Sequence, residues 1–214
     1  VRQPPATRPE DAIRQARLVD QEDQRIMQIR SVLAAIMTSG GAAATTELKQ
    51  PRVFGSSHGK TLVLPPSVDG RPYTVPDLEE VGGRYFRKLG DGSFLLGAHL
   101  FIADGAELVL NGSGGPLHIR MGSTPSAFGS IVSFGGSIRI EGTAQDPVQI
   151  TSYDTATKKP DTQVTDGRAY VRAVGGEFKM KHARVSDLGF WSGRTGGIAL
   201  TGTDRPANAA KRLT

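Results

Sequence analysis

The middle of the chain carries one hydrophobic pattern written three times. Gly105-Ala106-Glu107-Leu108-Val109-Leu110, Gly135-Gly136-Ser137-Ile138-Arg139-Ile140 and Gly175-Gly176-Glu177-Phe178-Lys179-Met180 each place a glycine corner before an apolar, other, apolar alternation. A period of two over so short a run predicts a strand with one face turned inward. Each phrase is followed by a second alternating run, at 117–121, 148–151 and 183–186, and preceded by a third, at 100–102, 131–134 and 170–174. Three short strands per turn with glycine at the bends predict an all-β chain, a right-handed parallel β-helix of about three to four coils.

The spacing is uneven: Leu108 to Ile138 is 30 residues and Ile138 to Phe178 is 40. A polar stretch without hydrophobic period, 153–167, accounts for the drift as a loop inserted at a corner. A sandwich-type all-β fold also spaces short strands regularly, and stays open as the alternative. Stacked coils would put Leu108, Ile138 and Phe178 in one interior row and Leu110, Ile140 and Met180 in the next, because neighbouring strands lie about 4.8 Å apart. Val109, Arg139 and Lys179 would then share an exterior ladder, His118, Gln149 and Arg184 another, with Glu141 beside Lys181.

Ahead of the coils, Pro9-Glu10-Asp11 reads as a helix start, with acids where the helix dipole favours them. The amphipathic helix is predicted over 9–38, stopping at Ser39-Gly40-Gly41. Ile26, Ile29, Leu33 and Ile36, widened by Val32 and Met37, form a stripe that must lie on something. The stretch from Asp20 to Arg25 is polar on all sides, so the first half is expected to project or bend away. Two roles are open for the helix: a cap over the N-terminal strand edges of the coils, or a docking face for a partner chain. Residues 1–8 are expected to be disordered, 39–60 a linker, 61–93 irregular strands, and 61–214 the coils as a whole. A start at Val1 suggests a processed or trimmed product.

Composition changes this picture little. Of 214 residues, 27 are glycine and 13 proline, with no collagen period, which suits a fold rich in corners. Cysteine is absent, so no disulfide or thiol chemistry is available. No run is long enough for a membrane span, and no signal-peptide core is present. A net charge of +5 favours an anionic partner. Aromatics at 6%, with no recognition helix, zinc finger or RNP motif, argue against nucleic acid.

Catalytic signatures are sparse. Gly55-Ser56-Ser57-His58-Gly59-Lys60-Thr61 is one residue short of a phosphate-binding loop and is followed by Leu62-Val63-Leu64-Pro65-Pro66, which cannot open a helix. His58, His99, His118 and His182 are scattered without ligand spacing, so neither a metal nor a cofactor is expected. Asp154, Asp161 and Asp166 read as solvated loop acids before they read as a calcium site. Asn111-Gly112-Ser113 reads as a turn.

Between 149 and 202 the chain resembles the bacterial mannuronan C5-epimerases, alginate-modifying proteins of the pectate-lyase-like superfamily. The likeness rests on the Ser152-Tyr153-Asp154 strand end, the polar loop after it, the Asp166-Gly167-Arg168-Ala169 restart, the Ser186-Asp187-Leu188-Gly189-Phe190 corner and Gly196-Gly197-Ile198. Asp91-Gly92-Ser93-Phe94-Leu95-Leu96 and Ala103-Asp104-Gly105-Ala106-Glu107-Leu108 resemble the family's first coil. The resemblance implies a secreted or cell-envelope protein acting on an anionic polysaccharide. The family's catalytic Asp-Pro-His-Asp is absent, since Asp146-Pro147 continues as Val148-Gln149. The chain is therefore expected to be the N-terminal portion of a longer protein, completed by a C-terminal continuation or partner chain, or else a relative without that chemistry.

Epimerising a uronate removes the C5 proton and returns one to the opposite face, so positive groups must neutralise the adjacent carboxylate. Lyases share the first step. Arg139, Lys179, Lys181, Arg184 and Arg194 are the candidates for that charge, and no base stands out. The leading expectation is an epimerase-like or lyase-like protein; the alternatives are a non-catalytic glycan-binding or structural module of a cell-envelope assembly, and a trimeric phage or adhesin fibre.

Overall fold

The structure is a computed structural model that describes residues 8–39, 50–112 and 114–202. The expected disorder at the N-terminus, apart from Arg8, and the chain beyond Gly202 lie outside the described residues. Helix α1, Pro9–Ser39, is followed by a hairpin of β1, Arg52–Ser56, and β2, Gly59–Leu64. A short helix α2, Val75–Gly82, leads to β3, Phe86–Lys88, and β4, Phe94–Leu96. A cycle then runs through β5, His99–Ile102, β6, Glu107–Asn111, and β7, His118–Thr124. It repeats through β9, Ser130–Phe134, β10, Ser137–Glu141, and β11, Val148–Asp154, and again through β13, Tyr170–Val174, β14, Phe178–Lys181, and β15, Ala183–Ser186, before β16, Ile198–Thr201. Two short strands, β8, Ala127–Phe128, and β12, Lys159–Pro160, fold back antiparallel onto β7 and β11.

The cycle builds three sheets, each visited once per pass. The first holds β1-β2-β5-β9-β13-β16, the second β6-β10-β14, and the third β3-β4-β7-β11 with β15 beside β11. Every pairing between successive passes is parallel. Ile138 pairs with Leu108 on one side and Phe178 on the other, and Ile140 sits between Leu110 and Met180, so both predicted interior rows stack. The core between the sheets is closed by Leu62, Leu100, Ile131 and Val171 from the first sheet and Ile119 and Ile150 from the third. Phe178 and Met180 are less covered than the residues they stack on, since β14 has a neighbour on one side among the described strands.

The glycine corners are required by geometry. Gly105, Gly135 and Gly175 have φ of +77°, +77° and +64°, a region that side-chain-bearing residues rarely enter. A Cβ on Gly136 would lie 2.5 Å from the Ala103 carbonyl, so the stacked corners approach too closely for any other residue.

The helix does not cap the N-terminal strand edges. These are covered by other elements: β1 pairs antiparallel with β2, β3 antiparallel with β4, and Tyr73 bridges to β6 through two backbone hydrogen bonds of 2.8 Å. Leu78 of α2 is buried against the same core. Part of the segment read as linker is thus the β1 strand, and part of the region read as irregular strands is α2. Helix α1 lies instead across the outer face of the first sheet. Val19, Ile26 and Ile29 pack there with Val63, Phe101, Val132, Tyr170 and Phe190. The outer face of that sheet is apolar, which is why β5 is buried throughout and why the helix is held there. The half expected to project is docked as well, because Gln15, Glu22 and Arg25 are buried.

Candidate functional site

Two polar regions come from this arrangement. The first is sealed under α1. Thr61, His99, Ser130 and Tyr170 form one outward row of the first sheet, with Thr61 paired to His99 and Ser130 to Tyr170. Glu22 and Arg25 of α1 meet this row one turn apart. Arg25 donates through Nε and Nη2 to the Glu22 carboxylate at 3.1 and 2.7 Å, to Thr61 Oγ1 at 3.2 Å and to Ser130 Oγ at 3.0 Å. The Tyr170 hydroxyl donates a hydrogen bond to the Glu22 carboxylate. His99 Nδ1 lies 2.9 Å from Ser130 Oγ, and Nε2 is 3.3 Å from the His58 carbonyl. A neutral ring with its proton on Nε2 satisfies both contacts.

The titration behaviour follows from burial and charge. Burial drives the His99 pKa down to about 4, against the pull of Glu22. Burial by itself would raise Glu22, but the charges of His99 and Arg25 and the hydrogen bonds from Arg25 and Tyr170 outweigh it and hold the carboxyl down to about 2. Burial, with Glu22 beside it, pushes the Tyr170 phenol well up. The network is a closed ion pair with its donors satisfied, and it positions α1.

The second region is the outer face of the third sheet. Register sets His118 beside Gln149 and Arg184, Arg120 beside Thr151 and Ser186, and Gly122 beside Tyr153. His118 Nε2 is 3.2 Å from Thr151 Oγ1, which is 3.3 Å from Ser186 Oγ. Arg120 is anchored to Asp91 at 2.6 Å, and its guanidinium sits 4.8 Å from the centre of the Tyr153 ring. Burial, then the neighbouring Arg120, lowers the His118 pKa below the ordinary histidine value, so this imidazole is a neutral proton acceptor at pH 7. Cations, hydroxyls, an amide and an aromatic ring therefore share one face, built on rigid ladders.

The five predicted cations are not gathered together. Arg184 lies on this third-sheet face. Arg139, Lys179 and Lys181 project from the second sheet, where each meets an acid. Arg139 Nε is 2.6 Å from Glu107 in an ion pair not aligned for a hydrogen bond, Lys179 is 2.9 Å from Glu177, and Lys181 is paired in register with Glu141. Arg194 sits on a third side, joined with Arg172 to Asp23 of α1. The exterior ladder of Val109, Arg139 and Lys179 is in register, though Val109 is itself buried. Sequence reasoning placed His118 and Gln149 outward but missed Arg120 and Tyr153, whose outward positions follow from the same alternation.

The remaining sequence candidates resolve locally. The Gly55 to Thr61 segment forms the tight end of the β1–β2 hairpin. His58 and His99 adjoin although 41 residues separate them. Among the described residues no group of three His, Asp or Glu could hold a metal ion. Asp154 accepts from Ala156 N–H and Thr157 Oγ1 within its own turn, and Asp161 accepts from Ser123 Oγ at 2.5 Å. No helix among the described residues is long and apolar enough to cross a membrane.

The class these observations define is a mostly-β coil of stacked parallel sheets with a helix laid on one side. The solved structures similar to it include the periplasmic alginate epimerase AlgG, with a TM-score of 0.56 and 13% identity over 81% of this chain and 38% of that one. A double-mutant form of the same epimerase matches with a TM-score of 0.53 and 12% identity, over 72% of this chain and 34% of that one. The chain therefore spans little more than a third of the length of these structures, and at such identity the likeness is one of fold. No family profile and no curated protein matches the chain.

Proposed function

We propose that this chain forms a right-handed parallel β-helix that acts outside the cytoplasm on an anionic polysaccharide, epimerase-like or lyase-like toward a uronan. The handedness follows from the strong preference of parallel crossovers for the right-handed sense. The observation that carries the function is the third-sheet face, where His118, Arg120, Tyr153 and Arg184 lie together on a coil whose fold resembles an alginate epimerase.

The chemistry assigns roles to these residues. Arg120 and Arg184 would neutralise the uronate carboxylate as C5 loses its proton, through charge-assisted hydrogen bonds. His118, neutral at pH 7, would accept that proton, and the Tyr153 hydroxyl would supply one from the other side of the ring for epimerisation. For elimination the same proton loss is followed by departure of the glycosidic oxygen. Arg139, Lys179 and Lys181 would contact only a polymer that wraps onto the second sheet, and Arg194 only one that reaches α1. The missing Asp-Pro-His-Asp favours a second reading, a non-catalytic glycan-binding or structural module of a cell-envelope assembly.

Incubation with polymannuronate and related uronans in deuterated water tests the proposal. Deuterium at C5 without cleavage marks an epimerase, and an unsaturated product absorbing in the ultraviolet marks a lyase. Binding without either marks the module. In each case Arg120→Ala is expected to weaken uronan binding at least tenfold. No binding to any uronan, or binding indifferent to this substitution, overturns the proposed face.

A further inference from the structure

The corners that return the chain from the third sheet to the first differ sharply in length. Between β4 and β5 the corner is only Gly97 and Ala98, whereas the next passes carry the β7–β8 hairpin and the long loop after Asp154. A short corner below projecting ones leaves a notch. Helix α1 and the β1–β2 turn close its other sides, giving a cavity of about 480 Å³. That volume is in the range of small-ligand pockets.

The notch has a definite chemistry. Ser57, Thr124, Ser126, Thr155 and Phe128 line its walls, together with Glu22, whose charge is matched by Arg25. Phe128 is fixed by edge contacts to His99, Tyr170 and Phe190, with centroids 6.1, 6.3 and 5.2 Å away. Lys60 lines the notch with its Nζ lying against Gly55, and it has no ion pair among the described residues. The floor is backbone: a Cβ on Gly129 would lie 3.0 Å from the Ala98 carbonyl, so larger residues there would disturb the packing. Hydroxyl-bearing residues, an aromatic wall and Lys60, unpaired among the described residues, suit a sugar ring bearing a carboxylate better than a purely apolar ligand.

Its position adds a second argument. Gly122, which lines the notch, is paired in register with Tyr153, and Ser123 with Asp154. The notch therefore begins one outward position, about 6.6 Å along the strand, beyond Arg120 on the third-sheet face. The geometry points to a subsite for a single hexuronate unit in this notch, adjoining the third-sheet face and holding the carboxylate at Lys60. The hexuronate assignment rests on the uronan reading above; the notch itself does not.

Amide spectra of the ¹⁵N-labelled protein, titrated with free mannuronate or guluronate and with mannose as the neutral control, test the subsite. Uronate is expected to shift the amides of 57–60 and 122–129 and mannose to shift them at least fivefold less. Ser126→Trp, which fills the mouth from an exposed turn, is expected to abolish the shifts, and Lys60→Glu to weaken binding at least fivefold. The spectra also report whether each variant keeps its fold. No shift in these segments, or equal shifts with mannose, overturns the inference. Polymer binding separates the two proposals. Loss of polymer binding in Arg120→Ala with a silent notch leaves the third-sheet face standing and removes the subsite. Uronate shifts at the notch with no polymer binding do the reverse.

Discussion

Glu22 and Arg25 show how a charged pair can sit in the interior of a helix–sheet interface. Arg25 has four hydrogen bonds, two to Glu22 and one each to Thr61 and Ser130, so its positive charge is matched and most of its donors are used. Removing one partner leaves the other charge buried and unmatched, whereas removing both leaves no buried charge and only the hydroxyls of Thr61, Ser130 and Tyr170 short of a partner. Glu22→Gln is therefore expected to cost about 3–5 kcal/mol, and Glu22→Leu with Arg25→Met substantially less, as read from urea denaturation midpoints. His99 adds a pH dependence. Glu22 and Arg25 of α1 and His58 of the β1–β2 turn face it. Its pKa falls from 6.5 to about 4 on folding, so the unfolded chain takes up a proton that the folded chain refuses. The stability from this group is complete above pH 6.5 and is lost as pH falls toward 4, by about 3 kcal/mol in all. The Glu22 contribution disappears only below that, between 4.5 and about 2. Melting temperatures measured from pH 7 to 4 should fall, and His99→Gln should flatten that decline.

At the scale of elements, strands were legible and the docking of the helix was not. Alternation fixes which residue of Ile138-Arg139-Ile140 points inward, and glycine marks where the run must bend; both signals are local, so the register of β6, β10 and β14 could be read from spacing alone. The start of α1 was legible for the same reason, through Pro9 and the acids Glu10 and Asp11 after it. Its buried stripe was only half legible. Gln15, Val19, Glu22, Arg25, Ile26 and Ile29 recur at helical spacing, but half of them are polar, and a hydrophobic pattern records a buried glutamate as solvent-facing. The partners that make burial possible, Thr61, Ser130 and Tyr170, stand 36, 105 and 148 residues away. Helix α2 was missed because its eight residues, with Pro76 in the first turn, carry barely two turns of periodicity. On the third-sheet face Arg120 and Tyr153 were individually placeable; what the sequence withheld was their mutual approach across β7 and β11. The basic second-sheet ladder was legible as a row, while the ion pairs that Glu107 and Glu177 make with Arg139 and Lys179 were not.

For the molecule as a whole, the coil and α1 depend on each other unequally. The three sheets enclose the core of Leu62, Leu108, Ile138 and Ile150 without any contribution from the helix, while Val63, Phe101 and Val132 on the outer face of the first sheet pack with Val19, Ile26 and Ile29 of α1. An apolar outer face on a β-coil is unusual, since such a surface invites association once exposed. A chain starting at residue 50 should therefore keep its strand content by circular dichroism, because the core and the N-terminal hairpins are intact. It should also bind an apolar dye strongly and self-associate at micromolar concentration, and an added peptide of residues 8–39 should reverse both. The rescue should fail when that peptide carries Glu22→Ala, because the buried Arg25 would then dock against Thr61 and Ser130 without its counter-charge. A truncated chain that stays monomeric and dye-silent would mean that the first sheet does not need α1, and the helix would then have to be assigned a role apart from covering it.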